Sequence, residues 1–197
     1  MHTLLLTVFM LVGAPQASQT LVSQAIDGAA IFEGGQTYQD FLGTADSRPE
    51  VWKGNTDRSH PADDLVARLK TAGDGLRFVV VAVAACSDSV HTVPYVAVLA
   101  EAAGIPLRVV TPEAGRPIQD AFRTPDGRGA TATVALLRGD KVVGAWVERP
   151  VVLQTWILGP GAALSQSERM DRKFGWYEWD RGESTITELV ELAERLR

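Results

Sequence analysis

The spacing of apolar residues changes repeatedly between residues 61 and 148, and each change predicts a different element. In 61–70, Leu65, Val66 and Leu69 share one helical face behind an early proline and two acids, and Gly73 and Gly75 end the pattern. Residues 76–84 are then almost wholly apolar and rich in valine, which predicts a central strand covered on both faces. From 89 to 103 the helical period returns in Val93, Val96, Leu99, Ala100 and Ala103, with Gly104 placed to close the helix. A second, shorter strand is predicted at 106–111, parallel to the first because a helix links them. After a short helix at 117–122 and a turn-rich loop at 124–129, strands at 133–137 and 142–147 flank a connection of hairpin length containing Gly139. The unit is β-α-β, a crossover, and a β-hairpin.

The flanks are less regular. Residues 18–61 are polar and mixed, with a short helix candidate at 37–42, and read as an extension decorating the later core. Residues 151–158 are apolar without a clear period. At the end of the chain, Thr185 and Glu188 form a capping-box pattern, and Ile186, Leu189, Val190, Ala193 and Leu196 give a final helix one apolar face. Trp176, Tyr177 and Trp179 precede that helix and are expected to pack the tail onto the sheet, part of the cluster remaining exposed. The outline is α/β, one mixed sheet with helices on both faces.

Composition narrows the partners. At 197 residues the chain suits one core, and 46% hydrophobic with 22% charged residues is the balance of a folded protein. The net charge is −5 and the Lys and Arg residues form no basic run, so nucleic acid is not an expected partner. The apolar stretch within residues 1–17 is too short to span a bilayer and resembles a signal-peptide core, which makes an exported, periplasmic or secreted protein the expectation. Three separated histidines and one cysteine have no metal-ligand spacing, and no motif implies a cofactor.

The remaining candidate chemistry is Cys86, the sole cysteine, at the junction of the predicted strand and a helix N-terminus, where backbone N–H groups favour a thiolate. The segment Cys86-Ser-Asp-Ser-Val-His-Thr-Val-Pro94 resembles the active-site segment of the thioredoxin superfamily, in which the first cysteine of a Cys-x-x-Cys turn caps a helix and a proline follows within it. It is most similar to a bacterial thioredoxin-like subgroup with a Cys-x-Asp-x segment, and Asp88 matches that aspartate. The resemblance covers residues 62–197 and implies a thioredoxin-like fold, with Cys86 and Ser89 as the catalytic pair. Asp88, Thr131 and Ala132 are then the neighbouring binding positions, Ser89 donating a hydrogen bond to the sulfur and Thr131 with Ala132 forming the loop that faces it.

Departures from the family pattern restrict the chemistry. Ser89 stands at the resolving-cysteine position, so an intramolecular disulfide cycle is impossible. The buried acid expected six positions before the cysteine falls at Val80, the preceding tryptophan is replaced by Ala85, and Ala132 stands where the family has a cis-proline. A cis bond before a non-proline residue costs about 3 kcal/mol, which predicts a trans Thr131–Ala132 peptide and a reshaped loop. Asp88, with Ser87 and Ser89, is expected to cap the helix, and His91 to lie on a solvated rim pointing away from the thiol. Two readings follow: a monothiol oxidoreductase working with an external protein or low-molecular-weight thiol or disulfide, and a non-catalytic module that keeps the fold for binding.

Overall fold

The computed structural model describes residues 26–197, so the predicted signal segment at 1–17 lies outside the described residues. Its sheet has four strands in the order β2-β1-β3-β4: β1 (Leu76–Val81), β2 (Leu107–Val110), β3 (Thr133–Arg138) and β4 (Lys141–Val147). The β1–β2 pair is parallel, with Phe78 opposite Leu107, and the pairs β1–β3 and β3–β4 are antiparallel. Arg138 faces Lys141 across the predicted hairpin, where Gly139 adopts the left-handed backbone (φ 57°) that favours glycine. β1 stops at Val81 rather than reaching residue 84, because Ala82 is the last residue to bond to the β2 edge before the chain turns toward the helix.

Alternation along β1 feeds two cores. Phe78 and Val80 join a large cluster on one face, and Val79 and Val81 join a smaller one on the other, so every residue from Phe78 to Val81 is fully buried. Burying a valine or phenylalanine side chain contributes about 1.5–3 kcal/mol. Helices α4 (Asp63–Ala72), α5 (Ser87–Ala103) and α9 (Glu183–Arg195) supply Leu69, Leu99 and Leu189 to the large cluster. The smaller cluster is closed by Phe32 of α1 (Gly28–Glu33) and Ile118 of α6 (Arg116–Ala121).

The N-terminal segment does more than decorate this core. It forms α1, α2 (Tyr38–Thr44) and α3 (Pro49–Asp57), and Trp52 of α3 is completely buried in the large cluster, edge-on to Phe41 at 5.1 Å. Gln36 bridges to Val109 and Asp27 to Lys141, so single residues of this segment pair with both edge strands and leave less open edge. Such long-range roles leave no periodic signature in a polar stretch.

The C-terminal third also gains definition. The apolar 151–158 stretch is helix α7 (Val151–Leu158), followed by a short 3-10 turn at Pro160–Ala163 and helix α8 (Gln166–Asp180). A complete capping box starts α8: the Ser165 side chain accepts from the Glu168 N–H while the Glu168 carboxylate takes the Ser165 N–H. Between α8 and α9, Gly182 has φ 79° and lies against Tyr95, where an added Cβ would come within 2.1 Å of the ring. The aromatic cluster therefore sits within α8, and Tyr177 packs on α5 rather than on the sheet; Trp179 stays 77% exposed. Among the described residues no helix is long and apolar enough to cross a membrane.

Candidate functional site at the start of helix α5

Cys86 is the N-cap residue of α5, half-buried, and its carbonyl accepts the first helical hydrogen bond from Val90 at 3.1 Å. The approach to it is held from the N-terminal segment, as Trp52 Nε1 donates to the Ala84 carbonyl at 3.1 Å. Pro94 lies inside the helix and has no N–H, so the Val90 carbonyl loses its partner one turn on. Asn55 Nδ2 fills that vacancy at 2.6 Å, while Asn55 Oδ1 accepts from Arg58 and from Tyr95. A buried side chain from α3 thus repairs the defect that the family proline introduces.

The sulfur donates to the Thr131 carbonyl at 3.3 Å, which brings together Cys86 and the predicted facing loop. The Thr131–Ala132 peptide is cis, not trans as the residue type predicts. Three successive carbonyls of this loop are tied to separate elements. Gln119 and Thr133 bond to Ala130, the thiol to Thr131, and the Glu148 N–H to Ala132 at 2.6 Å. These bonds fix the path of the loop around the cis peptide, and they join elements that the residue-type expectation does not take into account.

Ser89 is placed differently from its predicted role. It is fully buried, and among the described residues its Oγ has no hydrogen-bond partner, the sulfur included. Asp88 is not a cap either, since among the described residues no side chain caps α5. Its carboxylate is buried and saturated: Oδ1 accepts from the Tyr177 hydroxyl at 2.6 Å, and Oδ2 accepts from Lys173 at 2.8 Å and Arg149 at 3.2 Å. Lys173 Nζ also donates to Ser87 Oγ at 3.0 Å. Pairing offsets part of the cost of burying a carboxylate and two cations, although Arg149 Nε has no hydrogen-bond partner among the described residues.

The network continues toward the facing loop. Arg149 also pairs with Glu148, and Glu148 accepts from Arg128 at 3.1 and 3.3 Å. Glu148 adopts a left-handed backbone (φ 69°) and is buried at the point where the chain leaves β4. Burial and the Asp88 charge push the Tyr177 hydroxyl well above the ordinary tyrosine range, so it stays protonated as a donor. His91 is buried rather than solvated: its Nδ1 lies 2.7 Å from the Ser87 carbonyl and its ring stacks on Tyr177 at 4.9 Å. Burial lowers its pKa, partly opposed by that carbonyl and by Glu178.

Sequence reasoning did not find Arg149, Lys173, Glu148 and Asn55, nor the role of Tyr177, which it expected only to pack the tail. The Ser165–Glu168 capping box was the available signal for α8, which delivers two of them, but nothing local announces that their partner is Asp88, more than eighty residues earlier in the chain. Among the described residues no cluster of three or more His, Cys, Asp or Glu side chains is arranged to hold a metal ion.

A four-stranded mixed sheet in this order, with helices on both faces and a cysteine-capped helix following the central strand, defines a thioredoxin-like fold. Residues 35–169 match the model of a family described as thioredoxin, and the chain belongs to that family. Among solved structures it is similar to a Pseudomonas aeruginosa protein of unknown function, at 19% identity and a TM-score of 0.63, over 86% of this chain and 98% of that one. An HIV epitope scaffold of the 4E10 series is similar at 17% identity and a TM-score of 0.61, over 84% of this chain and 96% of that one. No curated protein matches the chain.

Proposed function

We propose that this thioredoxin-fold protein carries out thiol–disulfide exchange through Cys86 alone, with an external thiol completing the cycle. The Cys86 thiolate attacks one sulfur of a protein or low-molecular-weight disulfide. A Cys86–sulfur bond forms as the original S–S bond breaks, and the second sulfur leaves as a thiolate. An external thiolate then attacks the mixed disulfide, releases Cys86 and takes the bound group away as a new disulfide. A second external thiol then attacks that new disulfide in solution and frees the remaining substrate sulfur, so that over the cycle two external thiols become one disulfide, two electrons pass to the substrate, and the proton lost from each attacking thiol goes to the leaving sulfur through solvent.

One observation carries this reading: a half-buried sulfur at the start of a seventeen-residue helix faces the carbonyl of the Thr131–Ala132 loop. The helix N-terminus favours negative charge at the sulfur, and the loop edge gives an incoming extended disulfide a backbone to lie against. Ser89 at the resolving position requires the second thiol to come from outside. An exported site of action belongs to the same reading, and the N-terminal sequence of the mature protein tests it.

The rival reading, a binding module without chemistry, rests on the absence of any acid or base hydrogen-bonded to the sulfur among the described residues. Glutathione-dependent reduction of hydroxyethyl disulfide separates the two. Exchange predicts turnover by the native protein that falls to the uncatalysed rate in Cys86→Ser. Equal rates for the two proteins would leave the binding module.

A further inference from the structure

Arg149 stands between the two sides of the thiol site. Its side chain is only 7% exposed, and its Nη2 pairs with both Asp88 Oδ2 and Glu148 Oε1. Asp88 lies two residues along α5 from Cys86. Glu148 holds the opposite side through its main-chain N–H, which donates to Ala132 in the loop whose Thr131 carbonyl receives the thiol. Lys173 and Tyr177 bond to Asp88 and not to Glu148, whereas Arg128 bonds to Glu148 and not to Asp88. Among the described residues, Arg149 is the one cation shared by both carboxylates.

We propose that Arg149 is a positioning residue for Cys86, fixing the gap between the sulfur and the Thr131–Ala132 loop in which a disulfide substrate lies. The assignment rests on the exchange reading above. A guanidinium suits this task because its rigid plane holds Nη2 in a set geometry between the two carboxylates, whereas an ammonium is a point charge on a flexible stem. It also balances charge near the thiol: Asp88, Glu148 and Asp126 are offset by Lys173, Arg128 and Arg149, with Tyr177 and His91 packed against the same cluster. Without the Arg149 charge, the carboxylates beside α5 disfavour a second negative charge on the sulfur.

The test compares Arg149→Met and Arg149→Lys in the full chain, with two readouts: the pH profile of Cys86 alkylation by iodoacetamide, and kcat and KM for hydroxyethyl disulfide reduction. Arg149→Met is expected to alkylate about tenfold more slowly at pH 7, with the profile displaced to higher pH. A site that had merely loosened would expose the sulfur and alkylate faster. Arg149→Lys is expected to recover most of the alkylation rate but to keep a KM raised about fivefold, because lysine restores charge without the two-carboxylate span.

Alkylation of a cooperatively folded Arg149→Met at or above the native rate would overturn the proposal. If that variant does not fold, Arg149→Lys decides alone, and a native KM for it overturns the proposal. If the native protein turns over no disulfide, the exchange reading fails by itself. The alkylation arm then still decides whether Arg149 governs the thiol.

Discussion

The two sides of Cys86 are built in opposite ways. Toward solvent, Cys86 is only partly buried, and among the described residues its sulfur makes one hydrogen bond, to the Thr131 carbonyl. Behind it, two residues along the helix, Asp88 is enclosed by Lys173, Arg149 and Tyr177, all buried, and the pairing runs on through Glu148 to Arg128. The contrast teaches where rigidity is placed: a thiol that exchanges partners must be free to form and break bonds, so its position is set by neighbours that do not react. Within this cluster the carboxylates and cations are paired, and the groups that hold Asp88 and the start of the helix come from α3, α8 and the end of β4.

The largest effect should follow from breaking the closed side. Asp88→Leu leaves Lys173 and Arg149 buried without their shared carboxylate and should cost about 3–5 kcal/mol of folding stability, measured by urea denaturation. A loss below about 1 kcal/mol would mean that the cluster is solvated and not the rigid wall described here. Next in size is Asn55→Ala, which strands the Val90 carbonyl that Pro94 cannot serve and removes the acceptor used by Arg58 and Tyr95. It should cost about 2–3 kcal/mol by the same measurement.

The His91 contribution has a sign that pH can read. Because burial holds its folded pKa below that of the unfolded chain, the unfolded chain takes up the proton more readily, and stability falls as pH drops through the ordinary histidine value near about 6.5. Asp180 and Glu188, whose pKa values burial raises, act with the opposite sign as they protonate. His91→Gln should therefore flatten the decline of stability between pH 7.5 and about 5.5 relative to the native chain. An unchanged slope would place the proton uptake elsewhere.

The smallest effect on stability belongs to the open side. Cys86→Ser removes one weak S–H bond at a half-exposed position and should change stability by no more than about 0.5 kcal/mol, while abolishing exchange. A large destabilisation would recast Cys86 as a core residue and blur the contrast between the two sides.

How much of this was legible in the sequence divides along the same line. The strand from Leu76, the helix closed by Gly104 and the hairpin at Gly139 all follow from period and turn chemistry, which act between near neighbours. Cys86 with Pro94 then points to the thioredoxin fold, to which the family match and the sheet order agree. The closed side was not legible, because an ion cluster joining Asp88, Arg149 and Lys173 is decided by packing between elements far apart in sequence. Asn55 and Trp52 lie in a polar segment whose burial only the assembled core reveals. The peptide before Ala132 shows the same limit: residue type favours trans, whereas tertiary bonds to three successive carbonyls accompany the cis form.

The most direct measurement compares one thiol in two environments: the second-order rate at which Cys86 forms a mixed disulfide with glutathione disulfide at pH 7, in the native chain and in the same chain unfolded in urea, followed by intact mass. The account predicts that the native protein reacts at least about tenfold faster, because folding places the sulfur at a helix N-terminus and opens it toward the Thr131–Ala132 loop. A native rate equal to or below the unfolded one would contradict it, and would make Cys86 a structural residue of a thioredoxin fold that binds without exchanging.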